Sequence, residues 1–416
     1  MIDKSLDNAI ANGANYGTLE RQHAMFTRLR NEDPVHWTEP DGYRPFWTIS
    51  KNADIMQIER DQERFLNAPR QRLVSIDFET ELREKMGGRK NLSASMNVMD
   101  GDRHRLYRNI TATWFLPKQL KTLEDRLAVL ANKAVDDLAA KGPEFDFYKD
   151  IAIWYPLRVI MLILGLPDED APHLQRLTSS YFSGSDPGSV DKEMQTAGDV
   201  LAAVRAFTEY FDVVAKARRQ NPTDDVASVI ANATVDGRPL EHYEASAYYI
   251  SLAAAGHDTT SASIAGGVLE LIRNPDQWRR LQADPALITP AVEEMIRWVS
   301  PIKHFFRTAA VDVEIRGKMI KAGEGVMLSY PSANRDEEVF GDPFQFRVDR
   351  TPNKHVGFGY GVHMCLGMML AKLEMKIFFQ ELLKRVDHFE MNGEPAWVET
   401  AFAGGLKRMP VRVKMK

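Results

Sequence analysis

The sequence predicts a mainly helical protein with a smaller β-containing part. From His104 onward, apolar residues recur mostly at helical spacing. Two short stretches that alternate or are rich in turn residues, Val35 to Thr48 and Val311 to Val326, supply the β-containing part. A third observation bears on organisation. No Pro- or Ser-rich linker divides the 416 residues, so one compact unit spanning 1–416 is expected.

Taken in order, residues 1 to about 15 read as a loose N-terminal arm. Val35 to Thr48 carries aromatics, Gly42, Pro40 and Pro45, and reads as short strands and turns. Arg70 to Asn97 is irregular, and a loop of that length is often functional. Leu116 to Leu138 and Ile151 to Leu166 have helical spacing, whereas Ser183 to Val190 reads as a connection. A long helix is expected from about His242 to Ile272, spanning roughly 45 Å, with Asn274 and Pro275 to stop it. Its centre, Ala253-Ala254-Ala255-Gly256, has little side-chain volume and leaves room for something else. Gly317 and Gly323 suggest a hairpin within Val311 to Val326. A last helix starts at Leu366, with Leu370, Leu373 and Ile377 on one face.

Composition excludes several classes. The formal net charge is −5, so no global field draws nucleic acid. One cysteine permits no intrachain disulfide, which fits a reducing cytoplasm. Met1-Ile2-Asp3-Lys4 lacks the apolar core of a signal peptide. The apolar run Val159 to Leu166 is far short of the roughly 20 residues that a membrane span needs. A cytoplasmic protein without a membrane anchor is expected.

The sharpest signal is Phe358-Gly359-Tyr360-Gly361-Val362-His363-Met364-Cys365-Leu366-Gly367. Two glycines let the backbone turn tightly and approach a flat ligand. Cys365 lies just ahead of a helix, whose N-terminal dipole and unpaired N–H groups favour a thiolate. A thiolate binds iron and pushes electron density toward bound dioxygen. The alternative, a small buried hydrophobe, is the ordinary state of a lone cysteine.

This run, Phe-Gly-x-Gly-x-His-x-Cys-x-Gly, resembles the haem-binding signature of the cytochrome P450 superfamily, and Leu370-Ala371-Lys372-Leu373-Glu374 resembles the helix that follows it. The resemblance covers the chain from the Val35 strands to Leu406. It implies haem b (iron protoporphyrin IX), buried between two long helices of a mainly α fold with a smaller β-rich lobe. Cys365 would be the iron ligand, with Phe358 and Gly359 in the haem loop.

Within the long helix, Ala255-Gly256-His257-Asp258-Thr259-Thr260 combines a helix-weakening glycine with hydroxyls that bond back to carbonyls. A groove could open there, and an acid beside an alcohol could relay protons. The resemblance implies Asp258 as the relay acid and Thr259 as the hydroxyl near dioxygen. His257 reads as core packing, and no second metal is expected.

Glu294 and Arg297, at i and i+3, read alone as a solvated pair. The resemblance makes them a buried network completed by Arg350, serving folding and haem-loop support. It likewise implies four partners for the haem carboxylates: His104 and Arg108, which share a helix face, together with Arg307 and His363. Ser251, Ala254 and Ala255 precede the acid-alcohol pair and should face the substrate space, and Ile302, Lys303, Phe305 and Phe402 match positions that line it in the family, with residues around 70–97 and 167–200 as its roof. Lys354, Lys372 and Arg105 could dock an acidic ferredoxin, or could be ordinary solvated cations.

Runs such as Met327-Leu328-Ser329-Tyr330-Pro331-Ser332-Ala333-Asn334-Arg335-Asp336 are similar to soluble bacterial members that hydroxylate monoterpenes. The implied activity is insertion of one atom of O2 into a C–H bond of a small hydrophobic guest, a terpenoid or an aromatic hydrocarbon. Electrons would come from NAD(P)H through a ferredoxin and its reductase, and the chain would act as a monomer. A peroxide-driven peroxygenase and a non-catalytic haem or small-molecule binding protein stay open.

Overall fold

The computed structural model describes residues 4–87, 95–182 and 196–416. Helices dominate, and the strands gather into one five-stranded sheet and several small ones. The five-stranded sheet is ordered Val35–Thr38, Phe46–Ile49, Gly325–Ser329, His304–Ala309, Phe65–Leu66. Its second and third strands run parallel, and the other pairs run antiparallel. Chain segments some 280 residues apart therefore meet edge to edge, with Val326 opposite Trp47.

The stretch from Val311 to Val326 makes two pairings, where one hairpin was expected. Val313–Ile315 pairs with Lys318–Ile320. Arg316 and Gly317, both at positive φ, form the turn, as a two-residue hairpin with the right twist requires. Gly325–Ser329 then leaves the hairpin and joins the large sheet.

The N-terminal arm is not loose over the described residues. Lys4–Ala11 is a helix, and Leu6 and Ile10 pack with Phe46, Phe306 and Met327. The Asp7 carboxylate meets His36 Nε2 at 2.7 Å and accepts from the Glu39 backbone N–H at 3.0 Å. Between 70 and 87 the expected loop contains the helix Ile76–Lys85, capped by the Ser75 hydroxyl on the Phe78 N–H. None of its residues is buried, so no face of it belongs to the core. The pattern over Leu116 to Leu138 divides into Pro117–Lys121 and Glu124–Ala140. Ile151 to Leu166 is entered through a π-turn at Tyr148–Ala152, continues as Trp154–Leu164 and ends on Gly165 at φ 65°. Ser183 to Val190 lies outside the described residues.

The long helix runs unbroken over His242–Arg273, with Glu241 and Glu244 forming a reciprocal cap. It lies among Trp154–Leu164, Ala171–Phe182 and Ile288–Val299. Close approach is possible because its glycines face neighbours. A Cβ on Gly266 would stand 2.4 Å from Val299 Cγ2, and one on Gly267 2.7 Å from Met295 Cγ. The last helix, Met368–Arg385, starts two residues beyond the expected Leu366, because Cys365 to Gly367 complete a turn first.

Candidate active site

The Cys365 loop is built by its own backbone. The Cys365 N–H donates to the Phe358 carbonyl at 2.8 Å, and the Gly359 N–H to the Val356 carbonyl at 2.9 Å. Gly359 and Gly361 sit at φ 70° and 71°. At Gly361 a Cβ would meet the Glu59 carbonyl oxygen at 2.3 Å, so both its φ and its space demand glycine. The Cys365 side chain remains accessible although it lies deep in the molecule. Burial pushes its thiol up, against the Gly367 and Met368 N–H groups and the nearby Arg108. The helix start does act in the expected direction, but burial outweighs it.

The four expected carboxylate partners converge on this loop. His104 stacks on His363, with ring centroids 3.8 Å apart. Burial and mutual repulsion among His104, Arg108 and Arg307 hold both rings neutral, with His104 lowered to about 4. His363 Nε2 is buried without a partner. Arg108 Nη2 donates to the Met364 carbonyl at 2.7 Å. Arg307 is buried and donates to Glu59 Oε1 at 2.9 Å and to the Phe306 carbonyl. Tyr330 Oη donates to the same Glu59 oxygen at 2.8 Å. Glu59 was not legible as a site residue, because a lone acid in an amphipathic helix gives no signal of a partner 248 residues away.

On the long helix, Thr259 Oγ1 donates to the Ala255 carbonyl at 2.9 Å. The helix runs unbroken through this stretch. Gly256 faces the helix Trp154–Leu164, since its Cβ would lie 2.9 Å from Ile160 Cδ1. Asp258 is half-buried, with its Oδ1 3.1 Å from His257 Nδ1. Burial raises its carboxyl, and His257 partly offsets that. His257 is fully buried between Thr178 Oγ1 at 3.0 Å and the Ile153 carbonyl at 2.8 Å, as core packing requires. Among the described residues no cluster could hold a metal ion.

The expected substrate residues divide. Ala255 is accessible at mid-helix, whereas Ala254 is covered. Ser251 is half-buried, and its Oγ is spent on the Ala247 carbonyl. Ile302 bridges to Ala403. Phe305 packs edge-on to Phe402, centroids 5.7 Å apart. Lys303 is a correction. It is buried, and its Nζ donates to the carbonyls of Val299 and Ser300 at 3.2 and 3.0 Å. It thus caps the C-terminus of Ile288–Val299 and does not line the space. Two surface clefts, of about 400 and 330 Å³, lie elsewhere and include none of these residues.

Glu294, Arg297 and Arg350 form the expected buried network. Arg297 is bidentate to Glu294 at 2.7 and 2.8 Å, and Arg350 Nε reaches both oxygens at 3.1 and 3.0 Å. Both guanidinia also donate to carbonyls of residues 334–345, tying down the chain before the Cys365 loop. Burial alone would raise the Glu294 carboxyl, but these arginines hold it below the ordinary value. On the surface, Lys372 pairs with Glu293 at 2.7 Å and Arg105 with Asp102 at 3.0 Å, while Lys354 is exposed.

A family model described as Cytochrome P450 matches residues 180–415. Cytochrome P450-terp of a Pseudomonas species is 42% identical over 404 residues, covering 95% of this chain and 94% of that protein. The chain belongs to the cytochrome P450 family. The crystal structure of CYP108D1 from Novosphingobium aromaticivorans superposes with a TM-score of 0.93 at 42% identity over the whole of both chains. The solved structure of Mycobacterium marinum cytochrome P450 CYP268A2 in complex with pseudoionone gives 0.88 at 32% identity over 96% of each chain.

Cytochromes P450 carry haem, and the residues present in this one fit that group. Cys365 offers an accessible sulfur at the end of a glycine cradle. His363 Nε2 is an orphaned donor or acceptor, a costly state in a buried site unless a partner arrives. Arg108 and Arg307 each have more N–H donors than they use. The expected mainly helical fold with a smaller sheet region holds. Among the described residues no helix is long and apolar enough to cross a membrane.

Proposed function

We propose that this P450 monooxygenase hydroxylates a small hydrophobic terpenoid or related hydrocarbon. Its electrons would come from NAD(P)H through a ferredoxin and its reductase. The observation that carries the reading is the accessible Cys365 sulfur at the end of a glycine-cradled loop, set against an orphaned histidine and two arginines. When bound, haem b supplies the binding and cleavage of dioxygen and the delivery of one oxygen atom to carbon.

The chain's own residues do the rest. Cys365 holds the iron. His104, Arg108, Arg307 and His363 hold the haem carboxylates, with Glu59 and Tyr330 fixing the Arg307 fork. Asp258 keeps a raised carboxyl on the long helix, so its proton-carrying form is favoured for relay. The Thr259 hydroxyl, one residue on and able to rotate off the Ala255 carbonyl, passes that proton inward. Ala255, Phe305 and Phe402 supply an apolar boundary that excludes water. The terpenoid guest is supported by the name of the Pseudomonas relative and by pseudoionone in the M. marinum complex. The exposed Lys354 suits an acidic donor protein, whereas Lys372 is already paired with Glu293 and Arg105 with Asp102.

The test is the carbon-monoxide difference spectrum of the reduced holoprotein, for wild type and Cys365→Ser. A strongly red-shifted Soret band, absent from the variant, is expected. Turnover with peroxide but not with ferredoxin would replace the reading by a peroxygenase, and guest binding without NAD(P)H consumption by a binding protein.

A further inference from the structure

His304 is 1% exposed, and both its ring nitrogens are used by backbone groups from distant parts of the chain. The Leu73 N–H lies 2.9 Å from Nε2, and the Ala401 carbonyl oxygen lies 2.7 Å from Nδ1. An N–H can only donate and a carbonyl can only accept, so Nε2 carries the lone pair and Nδ1 the proton. Burial pushes the ring down to about 3, with Arg70 and Arg72 adding to the effect, which keeps this neutral tautomer in place across ordinary pH.

The ring thereby substitutes for sheet pairing where pairing ends. Phe65 and Leu66 pair with Ala309 and Thr308, and the Phe306 N–H donates to the Gln71 carbonyl. The next residue on that side, Leu73, finds the His304 side chain in place of a backbone acceptor. On the other side, the Lys303 N–H donates to the Phe402 carbonyl at 2.7 Å and the Gly404 N–H to the Pro301 carbonyl at 2.9 Å. Backbone bonds thus tie each segment to the strand singly, and the His304 side chain alone links Leu73 to Ala401 across the strand end. Phe402 is carried on that loop, 5.5 Å from the His304 ring and 5.7 Å from Phe305.

We propose that His304 is a positioning residue for substrate. By stapling Leu73 to Ala401 it sets the separation of the two segments, and so where Phe402 stands against Phe305. The inference rests on the monooxygenase reading, which makes Phe305 and Phe402 walls of the substrate space.

Three holoenzyme variants test it: His304→Phe, which keeps a ring but no polar atom, His304→Asn, which reaches only the Nδ1 position, and His304→Gln, which reaches only the Nε2 position. Amide exchange is followed in peptides covering 71–75 and 400–405. Binding of 4-phenylimidazole, an apolar azole probe, is followed by its absorbance shift. For His304→Phe, exchange at Leu73 and in 400–405 should quicken at least about ten-fold. Azole affinity should fall about ten-fold, with an unchanged carbon-monoxide spectrum. Asparagine should restore protection at 400–405 only, and glutamine at Leu73 only, which keeps the test intact if phenylalanine does not fold. Wild-type exchange in all three variants would overturn the staple. Quickened exchange with unaltered azole affinity would overturn the positioning role. Either result with an intact thiolate spectrum leaves the monooxygenase reading standing. A wild-type protein without that spectrum would defeat the reading and the positioning role together, while the exchange pattern still judged the staple.

Discussion

Lys303 offers a test in which burial and hydrogen bonding pull in opposite directions. Its amine falls from an ordinary 10.5 to about 7, first through burial and then through repulsion from Arg335. Below pH 7 the amine is protonated in the folded and the unfolded chain alike, and the penalty for burying the charge is present in full. At 1.36 kcal/mol per unit of pKa, that penalty is about 5 kcal/mol. Between about pH 7 and 10.5 only the unfolded chain holds the proton, so the fold gains about 1.4 kcal/mol per pH unit relative to it. Lys303→Met removes the penalty but also the bonds to the Val299 and Ser300 carbonyls, worth about 1 kcal/mol each. The variant should therefore be about 3 kcal/mol more stable at pH 6, and this advantage should vanish near pH 9. For 416 residues the melting entropy is about 0.9 kcal/mol/K, so Tm should rise by about 3 °C at pH 6 and by almost nothing at pH 9. Calorimetry of both proteins at the two pH values decides it, because every other titration cancels in the difference. An equal Tm difference at both pH values, or a loss of stability at pH 6, would refute the assignment of Lys303 as a desolvated helix cap.

Other outcomes follow from the same geometry. Glu294→Gln leaves Arg297 and Arg350 without their shared carboxylate and should cost about 3–5 kcal/mol, read as a Tm lowered by about 3–6 °C; a change under 1 °C would mean that the backbone carbonyls alone satisfy both guanidinia. Gly361→Ala should abolish stable haem loading, since its Cβ would meet the Glu59 carbonyl at 2.3 Å. Gly42→Ala, at φ 79° with open space around it, should cost only about 1–2 kcal/mol, so equal effects from the two would undo the steric argument. Thr259→Ala should go on consuming O2 and NAD(P)H while releasing mostly hydrogen peroxide, measured as the ratio of product to NAD(P)H; tightly coupled product formation would remove Thr259 from the relay.

The parts legible in the sequence were those with a local signature. The Cys365 loop advertises itself because two positive-φ glycines, a histidine and a thiol are compressed into ten residues. Glu294 and Arg297 are three residues apart, and the resemblance supplied Arg350. Glu59 and Tyr330 were illegible because the contact that gives them meaning spans 271 residues. The helices Lys4–Ala11 and Ile76–Lys85 escaped for opposite reasons. The first has too few turns to establish a period, and the second presents no buried face. Lys303 was misplaced because matching a position fixes where the backbone runs, and a long flexible side chain can point either way from it.

The small residues of the long helix show how one sequence pattern can serve two physical ends. Ala253-Ala254-Ala255-Gly256 reads as a hollow, and a hollow suggests a guest. In the fold, Ala253 and Ala254 are covered, and Gly256 gives up its Cβ so that Ile160 can approach to contact. Gly266 and Gly267 do the same for Val299 and Met295, and Gly405 does so for Ala262. Most of the missing volume is thus taken by neighbouring helices and a loop, which pack to the density of any protein core. Of the four, Ala255 remains the most open, on the side that also carries Thr259 one turn later. A substitution series should therefore separate the two uses. Gly256→Ala and Gly267→Ala should lower stability by about 1–3 kcal/mol through overpacking and leave guest affinity unchanged. Ala255→Val should leave stability within about 0.5 kcal/mol and narrow the range of guests accepted. Calorimetry and binding of azoles of graded size measure the two quantities independently. Reversal of either pattern would mean that the hollow belongs to the guest after all.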